Sequence, residues 1–527
     1  MVRNLWRTFS FINLNNNKLI NQNQPMKFAF KIVFLLSTIC FTSCKQSDKN
    51  PADISYEVTA NLNDSTNLLV KFNYKSDVNG ELLLKYENTS WGDTDIYNCI
   101  SSFKVDPEPT SVVFDRDSSL VRIKTTPNQI NEIQYTITQD FKEPLQNYHR
   151  YRPIINKDYF HTLGMRLFMF PVDLFATEAS KASIAISWGE MPNNGLFHSS
   201  FGYEREQLIK VTQEDLYASF FIGGDFRRYQ FESNTRPVYF VTRGDWKTIK
   251  DDRLFSLLKE TISFQDKFWN DPRKEMYSVS LIPTFETWTK TSKSNSLGGS
   301  CLTNSFISFA SNNDGTTLNR LSWLYNHELL HTWIGRTILN EDEVKQYWFS
   351  EGFTDYYAYK LMLKNDNLSS EEFIDILNKE VITPHYKDEI NSIPNSELTF
   401  NTYWSNYKRY QKLPYRRGLL YAFLIDTQIK QQSNFEKSLD HLMLDFFQLA
   451  LDDESMRLNN KVFKSHLSNY LSSEALFDFE QYIIKGQLID FRGKLPKGLT
   501  IDYVENIPLF KIESSANIEQ LGLHLKQ

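Results

Sequence analysis

Asn326-His327-Glu328-Leu329-Leu330-His331, followed by Glu351-Gly352-Phe353-Thr354-Asp355, is the stretch on which the reading of this 527-residue chain turns. In an α-helix, positions four apart share one face, about 6 Å apart along the axis. His327 and His331 can therefore each aim one imidazole nitrogen at a single cation, at about 2.0–2.1 Å. A second amphipathic helix, beginning near Ser350, carries Glu351 in its first turn as a third donor. Two imidazoles and a carboxylate, with a fourth position open, are the donors of a catalytic zinc site. One Zn2+ is the expected cofactor. Glu328 is turned away from the ligand pair but can reach the open position, where it would take a proton from a water. The same spacing also occurs on ordinary solvated helices, so the surroundings decide. Leu318, Leu321, Leu324 and Tyr325 recur at helical spacing, Thr316 or Thr317 can cap the start, and Gly335 is placed to end the helix. Asp355 lies four residues after Glu351 on the same face. It is expected to accept the free N–H of a ligand histidine and fix its tautomer.

Residues 1–43 read as a leader. From Met26, Lys27 and Lys31 precede the apolar run Ile32–Phe41, which is too short to span a bilayer, and then Thr42-Ser43-Cys44. A cysteine after small residues resembles the lipobox of bacterial lipoproteins, although Phe41 departs from the usual Leu. Lipidated Cys44 would anchor the protein to a membrane without spanning it. The expected location is the bacterial cell envelope, at the outer membrane, with the face left open. The leader holds five Lys/Arg and no acid, so the remainder carries about −6 − 5 = −11. That balance, with no basic stripe, argues against nucleic acid. Cys99 and Cys301 remain, too few for a disulfide scaffold.

Residues 44–52 form a polar tether. From 53 to 245, short alternating runs such as Tyr56-Glu-Val-Thr-Ala and Leu120-Val-Arg-Ile-Lys predict an antiparallel β-sandwich region. Asn79-Gly80 is expected to turn a hairpin, and Met165–Phe170 and Val238–Val241 to be late strands. From about 246 helices dominate, over 250–268, 317–334, 351–364, 370–382, 415–432, 438–451, 459–470 and 475–485. Two strand-like runs, Tyr277–Ile282 and Phe306–Ala310, precede the histidine helix. The fold class is α+β: a β-sandwich region followed by a mainly helical, thermolysin-like zinc domain. The division is 246–455 for the latter, with 456–527 a C-terminal helical region and tail.

Four segments resemble the gluzincin metallopeptidases, above all the glycyl aminopeptidase family and more distantly the alanyl aminopeptidases. They are Gly298–Ser305, His327–Trp333, Ser350–Tyr357 and Leu413–Gly418, with Ser438–Met443 as a further signature. In the alanyl family eighteen residues separate the second histidine from the third ligand. Here there are nineteen, the extra one assigned to a tolerant loop at 340–346. The resemblance implies that Tyr415 donates a hydrogen bond to the tetrahedral oxyanion. It also implies that Gly298, Gly299, Cys301 and Asn304 line the substrate, with Tyr410 beside them. In such enzymes a glutamate at the position of Cys301 grips the substrate's α-amine. A thiol cannot hold a fixed negative charge at neutral pH unless its pKa is much lowered, and Glu286 is the nearest upstream carboxylate available as a substitute.

The function expected is zinc-dependent hydrolysis of peptide bonds, aminopeptidase-like in architecture, with exo- against endopeptidase action undecided. Peptides or proteins are the substrates, and Ser305–Ala310 is the strand expected to pair with their backbone. The alternative is a catalytically weak or inactive protein that binds peptides or envelope components on the same fold. A zinc hydrolase of other electrophiles is a third reading.

Overall fold

The computed structural model describes residues 52–63, 65–191, 194–234, 236–284, 296–514 and 517–527. The leader, Cys44 and Glu286 lie outside them.

Period-two alternation builds the first region. In Ile54–Asn61, Ile54, Tyr56, Val58 and Ala60 are buried and the residues between them exposed, so the strand lies half in a core. It sits third in a six-stranded sheet ordered Glu206–Val211, Ala182–Trp188, Ile54–Asn61, Asn67–Lys75, Ile130–Thr138, Ile100–Asp106. All these pairs are antiparallel except Ile54–Asn61 with Ala182–Trp188. Two four-stranded sheets complete the region. Asn79-Gly80 does not turn a hairpin. The Asp77 carboxylate accepts from the backbone N–H of Asn79 (2.8 Å) and Glu81 (2.6 Å). That turn passes the chain from the sheet of Asn67–Lys75 to the one holding Glu81–Lys85. Met165–Phe170 is likewise no long strand: Gly164–Leu167 makes one helical turn before a two-residue strand, Phe170–Pro171. The buried Arg166 there donates to the carbonyls of Tyr151, Glu87 and Ser90.

A mixed five-stranded sheet joins the two regions, in the order Arg227–Ser233, Arg236–Thr242, Tyr277–Pro283, Ser305–Ala310, Leu297–Leu302. Residues before 246 thus belong to the sheet under the zinc helices. Its strands Tyr277–Pro283 and Ser305–Ala310 are buried at every position, serines included, because both faces are covered. In Ser305–Ala310, Phe306 and Ala310 enter the helical core. Ile307 and Phe309 enter the core of the first region. Ser305–Ala310 pairs on both sides, parallel to Tyr277–Pro283 and antiparallel to Leu297–Leu302. It therefore cannot take an added strand. The edge is Leu297–Leu302.

Thr317 caps the histidine helix, Leu318–Leu330, by accepting from Arg320 N–H. The helix stops short of 334, and Gly335 lies in the following turn at φ 109°. Residues 340–346 are not simply a loop: Asp342 caps a helix over Glu343–Ser350. Glu351 is the junction between that helix and the next, Gly352–Lys364, rather than a first-turn residue. Leu413–Gln432 crosses Gly352–Lys364 at two glycines. A Cβ on Gly352 would lie 2.4 Å from Gly418 Cα, and one on Gly418 1.7 Å from the Trp348 carbonyl oxygen.

Behind this crossing lies a buried ionic cluster. Lys360 Nζ donates to Asp426 (3.1 Å) and Asp440 (2.7 Å), and Lys430 Nζ to Asp426 (2.7 Å). The phenols of Tyr356 and Tyr357 add to it through Asp426 and Asp440. It ties Gly352–Lys364 and Leu413–Gln432 to Leu439–Asp452. The tail forms a hairpin, Leu499–Val504 with Ile507–Ile512, then a helix, Ile518–Lys526. Among the described residues no helix is long and apolar enough to cross a membrane.

Candidate metal centre

Leu318–Leu330 and the helix junction at 351 bring three donors to one point. His327 Nε2 lies 3.1 Å from His331 Nε2, and Glu351 Oε2 lies 3.5 Å from each. Metal bonds of about 2.0–2.1 Å at tetrahedral angles require donor separations of about 3.3–3.4 Å, so the triangle fits one zinc ion. Glu351 Oε2 is buried without a hydrogen-bond partner among the described residues, an orphan that a cation would satisfy. The electrostatics agree. Burial disfavours charge on both imidazoles, yet Asp355 and Glu351 raise His327 to about 10, and Glu351 raises His331. Burial likewise opposes charge on Glu351, but the histidines hold it well below the carboxylate range. The cluster draws positive charge.

The remaining ring nitrogens are held from outside. His327 Nδ1 lies 2.8 Å from Asp355 Oδ1, and His331 Nδ1 lies 3.1 Å from the Ile334 carbonyl oxygen. Such partners fix ring orientation and make the ligand nitrogen more basic.

Glu328 packs against Gly299 on the edge strand. A Cβ at Gly299 would meet Glu328 Cγ at 2.7 Å, Cδ at 2.8 Å and Oε1 at 2.9 Å. The glycine is what admits the carboxylate. Burial, and the nearby Glu351, push the Glu328 carboxyl upward against the pull of the two histidines and Arg150. A raised carboxyl suits a group that must both accept and return a proton.

Tyr415, in the first turn of Leu413–Gln432, stacks its ring 6.1 Å from His327 at 9°. Burial and the adjacent Glu351 raise its phenol well above the usual range. It stays protonated and available as a donor.

The other expected residues divide. Cys301 lies near enough to Glu328 to feel its charge, and burial pushes its thiol up to about 12. Cys99 is buried in the first region's core, and both cysteines are free. Gly298 is occupied by packing: a Cβ there would lie 2.2 Å from the Asn147 amide nitrogen. Asn304 sits at φ 48° in the turn between the edge strand and its partner, and its carbonyl accepts from Ser278 N–H. Tyr410 packs on a small cluster of Val344, Leu398, Tyr403 and Leu413.

Arg150 and Tyr151 also reach this place, and sequence reading passed over them. They come from the first region and meet Ser300, about 150 residues away in the chain. No local periodicity signals such a contact.

Comparisons with known proteins agree with this geometry. Residues 295–473 match the sequence model of the peptidase family M1 domain. No curated protein matches the chain. A crystal structure of an aminopeptidase N family protein from Idiomarina loihiensis superposes with TM-score 0.68 at 13% identity, covering 85% of this chain and 79% of that one. An M1 zinc metallopeptidase from Deinococcus radiodurans, a mutant bound to a Tyr-Ser-Ala substrate, gives TM-score 0.47 at 12% identity over 83% and 94%. Residues 295–473 are thus similar to the M1 peptidase domain, on a fold shared with an aminopeptidase N family protein, and carry the donor set for one zinc ion.

Proposed function

We propose that the protein is a peptidase in which Glu328 moves the protons and Tyr415 receives the oxyanion. The observation that carries this reading is the donor triangle of His327, His331 and Glu351, with Glu328 seated against Gly299. Zinc held there would polarise the scissile carbonyl and acidify a water. Glu328 accepts that water's proton and returns it to the leaving amine, which its raised carboxyl favours. The Tyr415 phenol, protonated and stacked on His327, donates to oxygen where charge develops. Gly299 leaves the base and the edge strand in contact, so a peptide paired along Leu297–Leu302 would present its backbone beside the base.

The finer assignment to the glycyl aminopeptidase family rests on Gly298–Ser305 and Ser438–Met443. The division at 245/246 and 455/456 and the anchorage through Cys44 at the cell envelope rest on the sequence alone. The neutral thiol of Cys301 favours a relaxed requirement for a free amine.

The test is Glu328→Gln. We expect zinc at one per chain and peptide cleavage reduced by a factor of about a hundred or more, on the scale of a lost acid–base group. Cleavage near the wild-type rate with zinc bound would remove Glu328 from its role. A wild-type chain that binds peptide but takes up no stoichiometric zinc would favour the binding-protein reading.

A further inference from the structure

One cation near Glu328 has no part in the mechanism above. Arg150 belongs to a short helical turn, Asn147–Tyr151, in the first region. Its Nε donates to Ser300 Oγ (3.1 Å) and its Nη1 to the Asn147 carbonyl oxygen (3.1 Å). Its guanidinium carbon sits 4.4 Å from the centre of the Tyr151 ring, and the Tyr151 hydroxyl meets the same Ser300 Oγ at 2.6 Å. Side chain and strand are thus locked together. Ser300 directly follows Gly299, the residue that touches the base. Arg150 and Glu328 face each other closely enough that each favours the other's charged form, and Tyr407 from the helical region couples to Arg150 as well.

Arg150 nonetheless forms no ion pair. Among the described residues no carboxylate oxygen lies within 4 Å of its guanidinium, and its hydrogen bonds go to neutral oxygens. Its neighbour Arg152, by contrast, is tied to Asp140 and Asp93. A half-buried guanidinium without a counter-ion, rigidly mounted on the strand that flanks the base, is an anion receptor by its chemistry. The side chain after Ser300 strengthens the case. Cys301 carries no charge, held up at about 12 by burial. An ammonium brought to this stretch of strand would meet a guanidinium with no carboxylate at 301 to offset it.

We propose that Arg150 is a specificity-determining residue that binds a carboxylate of the peptide, held against Leu297–Leu302 next to the bond that is cut. This rests on the peptidase reading. The carboxylate has two possible sources, an acidic side chain or the α-carboxylate of a short peptide. Planar, bidentate pairing with a guanidinium serves either.

The experiment uses the zinc-loaded full chain and four matched peptides. Each carries Glu or Gln at the residue adjoining the cleaved bond, and a C-terminal acid or amide. Wild type is expected to favour the carboxylate member of one pairing about ten- to a hundredfold in kcat/KM, the scale of charge-assisted hydrogen bonds. Arg150→Gln is expected to bring that ratio to within about threefold of unity, and Arg150→Lys to keep part of it. Calorimetry of the same peptides on Glu328→Gln should show the same ranking without turnover. A wild-type ratio near one in both pairings overturns the proposal, as does a preference that survives Arg150→Gln. If no peptide is cut but carboxylate-dependent binding is present and is abolished by Arg150→Gln, the peptidase reading falls while the anion site stands. Equal cleavage of all four does the reverse.

Discussion

Gly299→Ala offers a direct test of how Glu328 is seated. The glycine is not in the left-handed region of backbone space, so alanine brings no strain of its own, and a strand gains from having a Cβ. The new methyl, however, would start 2.7 Å from Glu328 Cγ. Ordinary contact between carbons is about 3.5 Å, so the Glu328 side chain must withdraw by about 0.8 Å. Misplacement of a catalytic group by that much costs about a hundredfold in rate, or about 2.7 kcal/mol of barrier. The three atoms nearest that methyl all belong to Glu328 and none to a zinc donor. The assay is kcat/KM on a fluorogenic peptide, with zinc per chain measured on the same sample by plasma mass spectrometry. We expect one zinc per chain and activity down by about two orders of magnitude. Activity within about threefold of wild type at full zinc content would refute the argument, because the base would then tolerate displacement or lie elsewhere.

Asp355→Ala should weaken zinc binding ten- to a hundredfold, since it frees the imidazole of His327 to reorient. Competition against a chelator measures this, and unchanged affinity would make Asp355 a bystander. Lys360→Met should cost about 3–5 kcal/mol in denaturant melts, because it leaves Asp426 and Asp440 buried without their shared cation. Burial alone would raise Asp426, but Lys360 and Lys430 hold it well below the carboxylate range. A carboxyl depressed by folding contributes its full stability above its unfolded value of about 3.9 and loses it progressively as pH falls from there toward the folded value. The wild-type melting midpoint should therefore fall progressively below about pH 4, more steeply than that of Lys360→Met; parallel curves would contradict this. Cys301, with its thiol at about 12, should alkylate slowly at pH 8 and faster with each step toward pH 11. A plateau near pH 8 would mean a lowered thiol. Cys301→Glu should raise the preference for free over acetylated amino termini about tenfold or more.

The parts of the site legible in the sequence were those fixed by local geometry. His327 and His331 share a face because helices repeat every 3.6 residues, and Asp355 follows Glu351 by one turn. The region-level division of strands and helices followed from periodicity in the same way. What escaped was decided by pairing at a distance. Ser305–Ala310 looks like the strand to offer a substrate because it is the more apolar, yet it is apolar because it is interior, flanked on both sides. The edge strand carries Gly298 and Gly299 and has little strand character of its own. The helix Glu343–Ser350 is two turns long, too short for its pattern to stand out from a loop. Asn79-Gly80 has the composition of a hairpin, but the partners of its flanking strands are chosen elsewhere. Arg150 belongs to the site only because the first region folds against the mixed sheet.

The glycine crossing of Gly352 and Gly418 restricts how this protein can change. Gly352 follows Glu351 and Gly418 lies three residues after Tyr415, and main chain rests on main chain between them. No substituent fits there, so point mutations at the crossing cannot tilt donor against phenol by degrees; they would wedge two helices apart. The wall formed by residues 147–151 meets the edge strand through side chains instead, at Asn147, Arg150 and Tyr151, and side chains can be exchanged where main chain cannot. On the proposed reading, the helical half would hold the chemistry fixed while the β half tunes preference.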